Sequence, residues 1–304
     1  MNRCIRTGLT GLVLSSVFTG FMPGAAARAG TAIDQHLAAD PKGSVEINNR
    51  DGSVRCVGWD KPDVQISGEL SSAAERLDVQ TEGKSIVIRV IMRNGGIHIS
   101  GSTDLTVKVP AASTVRIAGV SADIDVRGVT GEQKLQTVSG DVRTEAAGAD
   151  LQLKTISGNI KARGKNGIAR TSISTVSGNA EAIDIAGELE LDTVSGDAEL
   201  VMGPLSRARL QAISGDVNMT AQVNKDARID VSSVSGDMRM RWLGAENSTI
   251  DVETFSGDIN SCFGRTEVTH PKFGPGASWR YAVAGSASEI HIKTLSGDVS
   301  VCNR

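Results

Sequence analysis

An all-β fold, a parallel β-solenoid (β-helix) with about 18 to 21 residues per coil, is predicted by three observations. The first is a repeated turn, an apolar residue followed by Ser-Gly and then Asp or Asn, with its Ser at positions 139, 157, 177, 195, 214, 235, 256 and 296. Successive spacings are 18, 20, 18, 19, 21, 21 and 40, and a degenerate copy, Val120-Ser121-Ala122-Asp123, stands one period ahead of the first. A turn signal held in phase at about 20 residues is a repeat-architecture signature. The second is period-two alternation on both sides of the turn. The third is composition: Gly is 34 of 304 residues, Pro 7 and aromatics 3%, which suits many tight turns around a core of small aliphatics.

Aligning the copies on their Ser assigns each column a direction. Four residues before it stand Leu135, Leu153, Ile173, Leu191, Leu210, Val231, Val252 and Ile292, all aliphatic, and the next position is polar in every copy. Three residues past the Ser the column runs Val142, Ile160, Ala180, Ala198, Val217, Met238, Ile259 and Val299, again followed by a polar column. Two half-buried strands per coil follow, and no 3.6-residue stripe supports a helix-containing repeat. A second turn, such as Gly148-Ala149-Asp150, Gly164-Lys165-Asn166-Gly167 or Gly203-Pro204, absorbs the variation in length.

The chain opens as an export signal. Arg3 and Arg6 precede an apolar stretch from Leu9 to Met22, and Ala25-Ala26-Ala27 and Ala27-Arg28-Ala29 supply small-residue cleavage sites, so residues 1–29 are expected to be removed. Lys plus Arg total 32 and Asp plus Glu 35, a net charge of -3. The leader's three Arg take that to -6 (29 against 35). No field to hold nucleic acid exists. No later segment is apolar for about 18 residues, so no transmembrane segment is expected in the mature chain.

Residues 30–112 read as a strand-rich N-terminal part without the strict repeat, either a cap and first coils of the solenoid or an independent small sandwich. Alternation is visible at Ser44 to Asn48, Ser53 to Val57, Asp63 to Ser67, Leu77 to Gln80, Ser85 to Met92 and Leu105 to Val109. Asn49-Arg50-Asp51-Gly52-Ser53-Val54 looks like a diverged copy of the later turn. Residues 113–304 form the repeat solenoid, with an excursion at 263–293. Within it, Ser278 to Val283 and Glu289 to Lys293 around Gly285 predict a C-terminal hairpin.

The tandem T-[VIFL]-S-G-[DN] turns, the V-E-I-N-N-R-D-G-S-V block and the segment Asp104 to Pro110 resemble a bacterial adhesin-like family of strand-repeat proteins of unknown function. The resemblance covers the whole mature chain. It implies a β-solenoid in a secreted or envelope-associated protein and supplies no catalytic residues. With the export signal and no anchoring signal read in the chain, the expected location is periplasmic or secreted, with cell-surface association as a further expectation.

The chemistry-bearing patterns point to no cofactor and no enzyme. The turn column Asp141, Asn159, Asn179, Asp197, Asp216, Asp237, Asp258 and Asp298 offers one carboxylate per turn and two neutral Asn. It reads as turn capping, with calcium binding as the alternative. A polysaccharide-acting β-helix enzyme would need paired acids in a cleft, and the outward columns mix Lys, Asp, Gln and Ser. Only His36, His98, His270 and His291 are present, no catalytic spacing accompanies them, and Asn94-Gly95-Gly96 reads as a turn. The expected role is a non-catalytic interaction module whose partner is an envelope protein or a surface glycan, with self-association through solenoid edges a further route.

Two regions stand out as contact surfaces. The residue just before each Ser is Val138, Ile156, Val176, Val194, Ile213, Val234, Phe255 or Leu295, although alternation turns that position outward. Burial at a corner is the default reading; exposure would make it the best partner surface. The second region holds Phe263, Phe273, Trp279 and Tyr281, four of the seven aromatics beyond residue 29, with Arg265, His270, Lys272 and Arg280 among them. They read as a seal on the open end of the core, or as a partner surface of Trp279, Arg280 and Tyr281. Cys262 and Cys302 both stand six residues past their Ser, so stacked coils would place them about 4.8 Å apart, within disulfide reach. Cys56 falls in a core column and is expected to be a free, buried thiol.

Overall fold

The computed structural model describes residues 30–93, 101–165, 167, 170–264, 267–272 and 275–303. The expected export signal at 1–29, the expected turn at Asn94-Gly95-Gly96, His98, Arg265 and Phe273 lie outside them. Every regular element among the described residues is a strand, apart from one 3-10 turn at Ala245–Asn247.

Most pairings are parallel and in the register that the repeat implies. Leu153 lies between Leu135 and Ile173, Leu191 beside Leu210, and Leu210 beside Val231. The column four before each Ser and the column three after it are buried throughout. Burial alternates along the strands, as from Arg170 to Val176, because each pleat turns one side chain to the core and the next to solvent. The diverged early turn joins the same stack, with Asp51 opposite Ser121, Gly52 opposite Ala122 and Cys56 opposite Val126.

Stacking explains the turn glycine. A Cβ on Gly158 would run into the carbonyl oxygen of Gly140, one on Gly215 into that of Gly196, and one on Gly297 into that of Gly236. The column must therefore stay bare for coils to approach at strand spacing. A buried Thr two residues before the Ser completes the early turns: the Thr137 hydroxyl accepts from the Gly140 N–H at 3.3 Å and Thr155 from Gly158 at 3.1 Å.

Stack order departs from chain order at the C-terminus. The strand Ser288–Ser296 lies between Val217–Ser235 on one side and Ser248–Ser256 on the other, with Ser296 opposite both Ser235 and Ser256. The expected hairpin is not formed. Ala277–Tyr281 instead runs antiparallel along the far side of Ser248–Ser256, pairing Trp279 with Val252. The physical reason is that the inserted last coil already has both edges of Ser288–Ser296 occupied, leaving only the outer edge of Ser248–Ser256 to be covered. At the opposite end Thr31–Ala38 and Ala74–Glu82 likewise add antiparallel strands. The N-terminal end of the parallel stack is thus covered by antiparallel strands, Thr31–Ala38 lying on Asp63–Leu70, which itself runs antiparallel to Thr103–Pro110, and the C-terminal end is covered along Ser248–Ser256.

Cys262 and Cys302 belong to these two adjacent C-terminal coils. Their Cα atoms are 4.7 Å apart and their sulfurs are within bonding distance. Cys56 is fully buried, and desolvation pushes its thiol pKa up to about 12.

Candidate functional site

The column just before each Ser is solvent-exposed, which overturns the corner-burial reading. Val120, Val138, Ile156, Val176, Val194, Ile213, Val234, Leu295 and Phe255, in stack order, are 39% to 55% exposed. From Arg170–Ser177 onward the strand stays extended through the Ser, as the pairing of Ser177 with Ser195 and of Ser195 with Ser214 shows, so the chain bends after this column; in the two preceding coils the strands end at Gln136 and Lys154, and Val138 and Ile156 face solvent from the bend itself. The inward slot beside it is already filled by Thr137, Thr155, Thr175, Thr193 and their equivalents, all buried. The result is a continuous apolar ladder with one rung per coil.

The ladder carries a shallow groove of about 410 Å³ at its middle, walled by Val176, Val194, Ile213 and Val234 and by the polar residues Ser174, Asp192, Gln211 and Ser232 two positions earlier on the same strands. Stacked coils repeat at about 4.8 Å, so nine rungs span roughly 38 Å. A single apolar stripe of that extent is larger than scattered surface hydrophobics account for.

The aromatic segment is arranged differently. Trp279 is 2% exposed and stacks on Tyr281 at 6.3 Å, while Phe263 packs against both. Alternation along Ala277–Tyr281 turns Trp279 inward and Arg280 outward, where Arg280 pairs with Asp251 at 3.4 Å. The Tyr281 hydroxyl donates to the Glu246 carbonyl at 2.9 Å. Of Trp279, Arg280 and Tyr281, then, only Arg280 is fully presented to solvent. Trp279 lies in the core, so the three do not form a common partner surface; the aromatics close its end.

The Asp/Asn column is a hydrogen-bond relay between coils. Asp123 Oδ1 accepts from the Asp141 N–H, and Asp141 accepts from Asn159; Asn179, Asp197, Asp216, Asp237, Asp298 and Asp258 continue the relay at 2.9 to 3.1 Å. The side chain therefore caps the neighbouring coil rather than its own turn. An amide oxygen serves as well as a carboxylate, which accounts for the two Asn. Elsewhere on the outer faces acids stand beside cations, as in Lys161 with Glu181 at 2.7 Å and Arg170 with Glu190 at 2.8 Å. Among the described residues no group of three His, Cys, Asp or Glu is placed to hold a metal ion, and no helix is long and apolar enough to cross a membrane.

Comparison with known proteins places this arrangement. No curated protein matches the chain. Among solved structures, a candidate lipid-binding protein from Parabacteroides distasonis is 12% identical, with 90% of this chain and 97% of that one covered at a TM-score of 0.51. A candidate adhesin from Parabacteroides merdae is 9% identical, covering 90% and 96% at a TM-score of 0.49. Another, from Bacteroides fragilis, is 11% identical, covering 89% and 97% at 0.41. With so few identical residues, the Parabacteroides distasonis match speaks to the all-β fold alone. The family model described as Toastrack DUF4097 matches residues 44–302, most of the chain, and the protein belongs to that family.

Proposed function

We propose that the protein is an exported, non-catalytic interaction module, a parallel β-solenoid with one Ser-Gly turn per coil that binds partners through its apolar ladder. The observation that carries this reading is the exposure of the ladder, from Val138 at 39% to Phe255 at 55%, in a fold that buries the neighbouring aliphatic columns completely. Leaving nine such side chains wet costs solubility with no return in stability, and that favours a surface kept for contact. A protein surface suits it better than a glycan, since the ladder offers branched aliphatics and a single ring.

The competing readings are a polysaccharide-acting enzyme and a calcium-binding repeat. Against the first, the acids of the outer strands stand beside Lys or Arg, and the file of turn Asp bonds to backbone N–H groups along the stack rather than facing a second acid across a cleft. Against the second, one oxygen of every turn Asp from Asp141 to Asp298 in the stack, all but the terminal Asp258, is engaged by a backbone N–H.

The test is capture from envelope extract by the wild-type protein and by V194D/I213D/V234D, with Arg280→Ala in parallel. The three ladder sites are on the surface, so thermal stability should hold. Loss of specific capture in the ladder variant alone is the expected result. Capture that survives the ladder variant and fails with Arg280→Ala would move the contact to the C-terminal end and overturn the ladder.

A further inference from the structure

We infer that the Cys262–Cys302 bond is a thiol–disulfide exchange site. A thiolate of an external dithiol attacks Cys262 Sγ in the folded protein, Cys302 leaves as a thiolate beside Arg241, and the last coils are unlatched. The ladder plays no part in this reaction.

The bond lies on the outside of the stack. Along Met238–Leu243 burial alternates, with Met238, Met240 and Trp242 inward and Arg239, Arg241 and Leu243 outward. Register sets Arg241 opposite Cys302, and the buried residues of Val299–Cys302 are Val299 and Val301, so Cys302 turns outward next to Arg241. Both line one surface groove of about 330 Å³, together with Arg239 and Ser300. Cys262 is exposed and Cys302 half-buried. Solvent-exposed disulfides are the ones that exchange readily.

The two sulfurs are not equivalent. Cys302 has the coil of Arg241 on its far side. Cys262 has no such neighbour, because Ile259–Ser261 pairs with Val299–Cys302 alone among the described residues. Access therefore selects attack at Cys262. The leaving group selects it too: a thiolate departs faster the lower its pKa, and an adjacent guanidinium stabilises the thiolate of Cys302. Arg241 is available for this, since it enters no ion pair among the described residues and its register neighbours are the neutral Thr220 and Cys302. Arg239, two residues earlier, is taken up by Asp216 and Asp237.

The geometry also selects a dithiol over a simple thiol. In the first step a bond forms to Cys262 Sγ and the Sγ–Sγ bond breaks, its electron pair leaving on Cys302. Strand pairing keeps the two cysteines neighbours, with Cα atoms 4.7 Å apart in the closed form, so Cys302 can return and expel a simple thiol. A second thiol on the same reagent prevents this by attacking its own partner sulfur, and Cys262 then leaves as a thiolate. The dithiol is oxidised to a disulfide while the protein takes up two electrons and two protons. Phe263 follows Cys262 and packs on Trp279 and Tyr281. Freeing Cys262 thus loosens the aromatic closure of the core.

The test is reduction of the oxidised full chain by dithiothreitol, stopped with acid and read by peptide mapping. Cys56 is the internal reference, because a buried thiol is labelled only when the fold opens. Cys262 and Cys302 should become free thiols while Cys56 stays unlabelled. Excess glutathione in place of the dithiol should leave its adduct on Cys262 and not on Cys302. R241E should slow opening about fivefold or more, and R241K should stay within about twofold of wild type. Iodoacetamide is uncharged, so its slower reaction with Cys302 of reduced R241E separates a destabilised thiolate from repulsion of the attacking anion. Hydrogen exchange in the reduced protein should quicken at Ala277–Tyr281 and Val299–Cys302 and stay unchanged around Leu191 and Leu210. Labelling of Cys56 in step with the pair would mean that the bond opens only by unfolding, and would overturn the exchange site. An adduct shared equally, or found on Cys302, would overturn the direction of attack. Wild-type rates in R241E would overturn the part given to Arg241.

Discussion

The repeats from Val120 to Ser235 and the C-terminal segment from Ser248 onward use the same turn and the same columns, yet they stack by different rules. In the first region each coil lies on the one before it in the chain, as with Ser177, Ser195, Ser214 and Ser235. In the second, the last coil is inserted between two earlier ones, and the segment that precedes it is left outside as an antiparallel cover. The column pattern therefore fixes which way a side chain faces but not which coil is its neighbour, because every coil offers the same edge. What closes the stack is a break in the pattern, with Trp279, Phe263 and Tyr281 packed together at the end.

The largest effect should come from filling the bare column that lets coils approach. Gly215→Val sets a branched side chain against the backbone of Gly196, which is fixed by its own neighbours on both sides. A loss of more than about 4 kcal/mol, or no folded protein, is expected. Gly285→Ala at the C-terminal end meets nothing within 4 Å and strains only its φ of 78°, so about 1 kcal/mol should suffice. Urea denaturation of the two variants measures the contrast. Equal losses would mean that turn conformation, rather than stacking, selects glycine in the repeats.

The C-terminal region depends on a crosslink that the repeats lack. Cys262 and Cys302 close a loop of 40 residues, and the chain-entropy model gives about 4 kcal/mol for such a loop. C262S/C302S should lose up to that amount, with the first protection lost in hydrogen exchange at Ser288–Ser296 and Ala277–Tyr281. Uniform loss across all coils would show that the ends and the middle unfold together.

How much of this was legible in the sequence depends on what the residues constrain. Facing was readable, since Leu153 and Ile160 alternate with polar neighbours, and the match of Cys56 with Val126 followed from counting along the turn. The cysteine pairing was readable too, because equal offsets from Ser256 and Ser296 put both in one column. That same equality is blind to order: Cys262 and Cys302 are adjacent whichever coil lies inside. The false hairpin arose there, from treating chain neighbours as spatial ones. The ladder was misread for a different reason. Burial was assumed because apolar side chains are usually inside, although the alternation itself turned Val176 and Val194 outward. The buried Thr column was the missed signal, since Thr175 and Thr193 already occupy the corner.

A smaller effect separates the N-terminal core from the end. Cys56, raised to about 12 from an ordinary 9.0, stays neutral in the fold while the unfolded thiol ionises. Its contribution is complete below pH 9 and is lost as pH rises toward 12, at about 1.4 kcal/mol per pH unit within that window. Cys56→Ala should be less stable at neutral pH by about 1 to 2 kcal/mol and show a flatter decline from pH 9 to 11. Parallel declines would mean that the thiol is already accessible, which thiol labelling of the native protein would reveal directly.

The smallest effect lies in the relay along the turns. Asp197 Oδ1 accepts the Asp216 N–H, and its own N–H is held by Asn179, so the side chain contributes an acceptor between two coils. Asp197→Ala removes that acceptor on a rim that water can reach, and about 1 kcal/mol is expected. Asp197→Asn keeps the oxygen and relieves repulsion from Asp216 on the next coil, so its stability should stay within about 0.5 kcal/mol of wild type or rise above it. Exchange of the Asp216 amide should quicken in the Ala variant and not in the Asn variant. If the carboxylate charge itself mattered, Asn would cost as much as Ala. In that case a calcium-dependent rise in melting temperature, present in wild type and absent from Asp197→Asn, would identify the relay as a cation ladder instead of a backbone clamp.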